Sequence, residues 1–121
     1  VTTIDASGDV TFGAKLITDN LTIYEGGGVE PTQGTITGAE FDLRKGIAWT
    51  AGAIDIPNPT NGVAGMTGQI LLTAAPNSWG NAFKFPGGVG NVQPTTQSYP
   101  ALVPYFVQNS GIILLGNVIS Y

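Results

Sequence analysis

The sequence predicts an all-β protein, and three observations carry that prediction. Gly and Thr are abundant, and stretches with helical periodicity are almost absent. The apolar residues fall in short runs bounded by Gly, Pro, Asn and Ser, with alternation along several runs. The densest run, Trp79-Gly80-Asn81-Ala82-Phe83-Lys84-Phe85, puts Trp79, Phe83 and Phe85 on one parity, hence on one face of a strand, with Ala82 and Lys84 on the other. Pro86 and Gly87-Gly88 end that strand. The expected architecture is a mainly antiparallel β-sandwich, jelly-roll-like, from about residue 34 to 121, preceded by a β-rich N-terminal arm over residues 1–33.

In the arm, Ile4, Val10 and Leu16 are spaced by six, as are Ile17, Ile23 and Val29, with turn formers between them. So few apolar residues cannot bury a face of their own. No repeat long enough for a solenoid is evident. Composition shifts near Gly34. Glu40-Phe41-Asp42-Leu43 alternates like a half-buried strand, and Arg44-Lys45-Gly46 supplies a turn. Ile47, Trp49 and Ala51 then share a face, while Ile54 and Ile56 sit on the opposite parity, so a bend is expected at Gly52.

Pro57 to Gly62 is a loop by composition. Gly68 to Ala74 is a strand with Ile70, Leu72 and Ala74 inward, and Gly87 to Gln97 is a long loop. Ala101–Val107 and Ile112–Ile119 are apolar on both parities, which predicts burial on both faces. Pro104 cannot donate to a ladder, so its strand is expected at an edge or with a bulge.

The charge distribution narrows the function classes. The net charge is −4, and all eight acids lie in the first 55 residues; beyond Asp55 the only charged side chain is Lys84. An ordinary domain carries about a quarter charged residues, so this half presents neutral polar groups to water or is covered by another chain. The overall sign argues against a phosphate track for nucleic acid. No stretch approaches the ~20 apolar residues that span a bilayer, and no signal-peptide pattern is visible. Val1 implies either a trimmed initiator or a piece of a longer chain.

Chemistry is sparse. Without His or Cys, zinc, haem and iron–sulfur ligation lose their usual side chains, and the serines have no evident base. Glu25, Glu30, Glu40 and Asp42 are the acids from which a carboxylate pair would have to come, but closeness in sequence does not place two acids across a substrate. Asp5-Ala6-Ser7-Gly8-Asp9 lacks the remaining ligands of a calcium loop. Gly26-Gly27-Gly28 lacks the Lys and Ser/Thr of a phosphate loop. Asn20-Leu21-Thr22 is a glycosylation sequon, of consequence only in a secreted eukaryotic chain. No catalytic, metal or cofactor residue is expected. The candidate ligand platform is aromatic, with Trp79, Phe85 and Tyr99 offering stacking faces, Lys84 beside them, and Trp49 as a further ring.

The run Trp79 to Gly88, of the form WGxxxKFPGG, resembles a C-terminal module of predicted tail-fibre and other structural proteins of tailed bacteriophages, marine and cyanobacterial ones especially. Asn58-Pro59-Thr60-Asn61 through Gly68-Gln69-Ile70-Leu71-Leu72-Thr73 resembles the same module's upstream run, with Met66-Thr67 in place of its usual polar pair. Leu102-Val103-Pro104-Tyr105-Phe106-Val107 is similar to its late strand, with Pro104 departing from the pattern. The likeness spans Phe41 to the C-terminus and carries no active-site residue.

What the resemblance implies is a non-enzymatic virion protein on the outer surface of the phage particle, and it favours the tip of a tail fibre; the short length favours a knob protein decorating the capsid. The charge-poor C-terminal half and the strands apolar on both parities point to a homotrimer bound to other virion proteins of the capsid or tail, with a host-surface glycan as a further partner. Strings like the arm occur in fibre shafts, where three chains share one narrow core; a pair of ordinary hairpins or a mobile arm fits the same residues. The alternative function is a carbohydrate- or receptor-binding module. If the aromatics lie in the core, the domain is structural; if two or more stand exposed side by side, binding gains.

Overall fold

The computed structural model describes residues 33–94 and 98–121. Residues 1–32, with the expected arm, its acids and its turns, lie outside the described residues. The described chain is all-β, as expected: β1 (Gln33–Thr35), β2 (Ala48–Ala51), β3 (Asp55–Ile56), β4 (Thr67–Leu72), β5 (Ser78–Trp79), β6 (Phe83–Lys84), β7 (Ala101–Asn109), β8 (Ile112–Leu115) and β9 (Ile119–Ser120), with one 3-10 turn at Leu43–Lys45. Seven strands form one sheet in the order β1-β2-β4-β7-β8-β6, with β9 also paired to β7, while β3 and β5 make a small second sheet.

The expectation of mainly antiparallel pairing is corrected, because the sheet is mixed. β1–β2, β2–β4, β3–β5 and β6–β8 are parallel; β4–β7, β7–β8 and β7–β9 are antiparallel. Parallel neighbours need a long connection between them. Here that connection is coil rather than helix, because residues 52–66 are rich in Gly, Pro and Asn. The first half consequently winds as a coil. Gln33 lies beside Ala48, and Ala48 beside Gln69, in the large sheet; Asp55 lies beside Ser78 in the small one; a parallel bridge joins Asp42 to Thr60.

Alternation places one face of the large sheet in the core. Trp49, Ala51, Ile70, Leu72, Ala101, Val103, Tyr105, Val107, Ile113 and Leu115 are buried there, and Ile36, Phe41, Leu43, Ile56, Trp79, Phe83 and Phe85 close over them. Gly34 must lack a side chain, since a β-carbon would stand 2.6 Å from the Trp49 ring. The Trp49 indole N–H has no hydrogen-bond partner among the described residues. Burial pushes the pKa of the Tyr105 hydroxyl above its ordinary value.

Several local expectations are corrected. Glu40–Leu43 is not a strand: only Asp42 bridges, and its carboxylate accepts from the Arg44 amide at 3.0 Å to cap the 3-10 turn. Ile47 is 50 % exposed while Trp49 and Ala51 go inward, because β2 starts only at Ala48. The bend falls one residue beyond Gly52, at Ala53-Ile54, and Ile56 after it is buried. β4 buries Ile70 and Leu72 but ends before Ala74.

The Trp79–Phe85 strand divides into β5 and β6, in different sheets, around a turn at Asn81-Ala82 that also buries Ala82. Asn58 holds this turn: its Oδ1 accepts from the Ala82 amide at 2.9 Å and its Nδ2 donates to Asn81 Oδ1 at 2.8 Å. Ile112–Ile119 likewise divides into β8 and β9. Pro104 sits in central β7, not at an edge, and the irregularity of that strand falls at Val107/Asn109.

Candidate interaction surface

The expected platform residues come together, but in the core. Trp79 is 5 % exposed and Phe85 3 %. Trp79 meets Phe83 and Phe85 edge-on, each at 5.1 Å between centroids, and Phe83 stacks at 6.1 Å on Phe41, which meets Trp49 edge-on at 4.7 Å. These rings cover one another and offer no open stacking face. Trp79 Nε1 donates to Gln93 Oε1 at 2.8 Å, and Gln93 Nε2 donates to the Tyr99 hydroxyl at 3.0 Å, so half-buried Tyr99 is tied to the cluster through Gln93. Lys84 points to solvent and donates to the Asn81 carbonyl at 2.8 Å.

The unusual surface lies on the other side of the sheet. Strand alternation that sends Val103, Tyr105 and Val107 inward sends Leu102, Pro104 and Phe106 outward. Register then assembles rows. Thr67, Phe106, Leu114 and Lys84 lie side by side across β4, β7, β8 and β6. Leu71, Leu102 and Ile119 do so across β4, β7 and β9. Phe106 is 46 %, Leu114 39 % and Ile119 51 % exposed.

This corrects the expectation that β7 and β8 are buried on both faces: within one chain their second face is open. Toward β2 and β1 the rows continue into Ala48, Thr50, Gln33 and Thr35, so the face grades from neutral polar to apolar and carries one charge, Lys84, at its far rim.

A second feature is an open cleft of about 820 Å³ lined by Asp42, Arg44, Lys45, Asn61, Gly62, Val63 and Met66. Asp42, 8 % exposed, is the buried polar residue at its base. Its Oδ1 accepts from the Arg44 amide, Arg44 Nε and Asn61 Nδ2 at 3.0, 3.4 and 3.0 Å, and Oδ2 accepts from Arg44 Nη2 at 3.3 Å. The Arg44 guanidinium first, then Asn61 and the Arg44 amide, hold the Asp42 carboxyl down at a pKa of about 2. Asn61 reaches it from a left-handed backbone, φ 59°, which Asn tolerates better than most residues. Lys45 donates to Glu40 at 2.6 Å, and that contact raises the Lys45 pKa.

Sequence reasoning took Asn58 and Asn61 as loop formers and as part of the resembling run, and gave neither side chain a partner. The polar partners they reach are 23 and 19 residues distant along the chain, and nothing local signals them. Among the described residues no group of three or more acids is placed to hold a metal, and no helix is long and apolar enough to cross a membrane. Comparison with protein-family models, curated proteins and solved structures gives no match.

Proposed function

We propose that this chain is a non-enzymatic structural protein of a bacteriophage virion, set on the outer surface of the particle as a tail-fibre-like or capsid-decorating component and working as a homotrimer. The observation that carries the reading is the open face of β4, β7, β8 and β9, apolar and charged only at its rim. Copies that meet about a symmetry axis bring like residues together, so a central charge would face its own like; this face has none there. Covering it with other copies of the chain would pack large sheets face to face between chains, a different arrangement from the single-chain sandwich expected from the sequence.

The phage setting rests on the resemblance of the Asn58–Asn61 and Trp79–Gly88 runs. Burial of the aromatic cluster supports a scaffolding role for those runs rather than a stacking site. Partners in this reading are other virion proteins, with no nucleic acid and no membrane insertion.

Light scattering at micromolar concentration tests the assembly: a mass about three times the 12.4 kDa chain is expected, and a monomer overturns it. Imaging of particles carrying a tagged chain tests the placement, and a tag absent from the outer surface overturns that.

A further inference from the structure

The Asp42 cleft shares no lining residue with the rows of the apolar face. Arg44 is anchored on one edge only: Nε and Nη2 are engaged by the two oxygens of a nearly buried carboxylate, yet the Arg44 side chain is 67 % exposed. A guanidinium carries five donors in a rigid fork. The Nη1 side therefore remains without a partner among the described residues and opens into the cleft. Asn61 is oriented by the same Asp42 oxygen, which fixes its amide as donor on that side and leaves Oδ1 as an acceptor toward solvent. Beside this donor–acceptor pair stand Val63, 62 % exposed, and Met66.

We propose that this cleft binds an acidic saccharide through its carboxylate, with Arg44 as the anchor. The fork meets a carboxylate with two parallel hydrogen bonds, Asn61 Oδ1 accepts from a neighbouring hydroxyl, and the Val63–Met66 wall covers the C–H face of a sugar ring. A uronic acid presents those three groups together. A peptide glutamate presents the carboxylate but no adjacent hydroxyl. Asp42 does not bind the ligand; it holds Arg44 and Asn61 before the ligand arrives, which removes an ordering cost from binding. The inference is independent of the trimer, since the cleft residues come from one chain and none belongs to the apolar face.

The test is titration of the full chain with glucuronate, followed by amide chemical shifts, with glucose and a glutamate-containing peptide as comparators. Glucuronate is expected to shift the amides of residues 61–66 with a millimolar-range Kd, roughly, as suits a single sugar, and glucose and the peptide to bind roughly tenfold more weakly or not at all. Arg44→Gln and Arg44→Lys are both expected to lose roughly tenfold in affinity, the latter because an ammonium keeps the charge but not the fork. Val63→Asp, at an exposed rim position that the core does not use, is expected to abolish binding with the spectrum otherwise unchanged. Lys84→Gln is expected to bind as the unaltered chain does. No shift at tens of millimolar glucuronate, equal binding of glucose, preference for the peptide, or affinity surviving Arg44→Gln would each overturn the proposal.

Discussion

Gly116 and Pro104 are fitted to each other. The Gly116 amide donates to the Pro104 carbonyl at 2.9 Å, and a β-carbon at 116 would stand 2.5 Å from Pro104 Cγ. In an antiparallel ladder a residue's N–H and C=O face the same neighbour. The donor that Pro104 lacks therefore points to the side where β8 has ended at Leu115 and β9 has not begun. A proline survives in a central strand because its missing bond falls in that gap. Gly116→Ala is expected to cost about 1–3 kcal/mol by overpacking, and Pro104→Ala in the same chain to recover most of it. Thermal melts of the two single variants and the double variant decide; an equal loss with and without the ring would mean that the ring is not the obstacle.

Asn58 makes a sharper test of the divided aromatic run. Asn58→Ala leaves the buried Ala82 amide without its acceptor, at about 1–3 kcal/mol. Hydrogen exchange at Ala82 should accelerate well beyond that of the Val103 and Val107 amides. Asn58→Asp, which keeps the acceptor and loses only the donor to Asn81, should fall between.

Acid should act through Asp42. Its folded pKa, about 2, lies below that of an ordinary aspartate. The stability it contributes is present above pH ~4 and is lost as pH falls from about 4 toward 2. In Asp42→Asn this part of the acid limb should flatten, as read from denaturant midpoints at each pH. An unchanged acid limb would place the sensitivity elsewhere.

Leu114→Glu probes the outer face without touching the core. Leu114 lies beside Lys84 in the ladder, so a glutamate there finds a cation within its own chain but meets its like in a symmetric contact. The monomer should keep its stability within about 0.5 kcal/mol, while the sedimenting mass drops to a single chain. A mass unaffected by this substitution would exclude the face from the contact.

Much of the core was legible from parity alone. Trp49 with Ala51, Ile70 with Leu72, and Phe83 with Phe85 all go inward, because alternation holds whatever the strand direction. Direction itself was not legible, since β2 and β4 would alternate identically in either sense. Nor was the openness of β7: Leu102, Pro104 and Phe106 read as apolar whether or not anything covers them. The break at Asn81-Ala82 escaped because Ala82 gives no turn signal, and the residue that holds it, Asn58, is remote in sequence. Of the candidate platform, proximity was legible and exposure was not. The Asp42 cleft was missed because Asp42, Arg44 and Asn61 look like solvated loop residues until Asp42 and Thr60 are bridged.

The place of β7 in the sheet has a consequence for synthesis. β7 is the strand that joins β4 to β8 and β9, and it is made after the whole coil of parallel turns. While the ribosome is still translating residues before Ala101, the emerging chain holds a β4 with one unpaired edge, and unpaired edges recruit strands from other molecules. Nascent chains stalled before Ala101 should therefore need chaperone cover, whereas chains in which Ala101–Asn109 has emerged and paired with β4 should not.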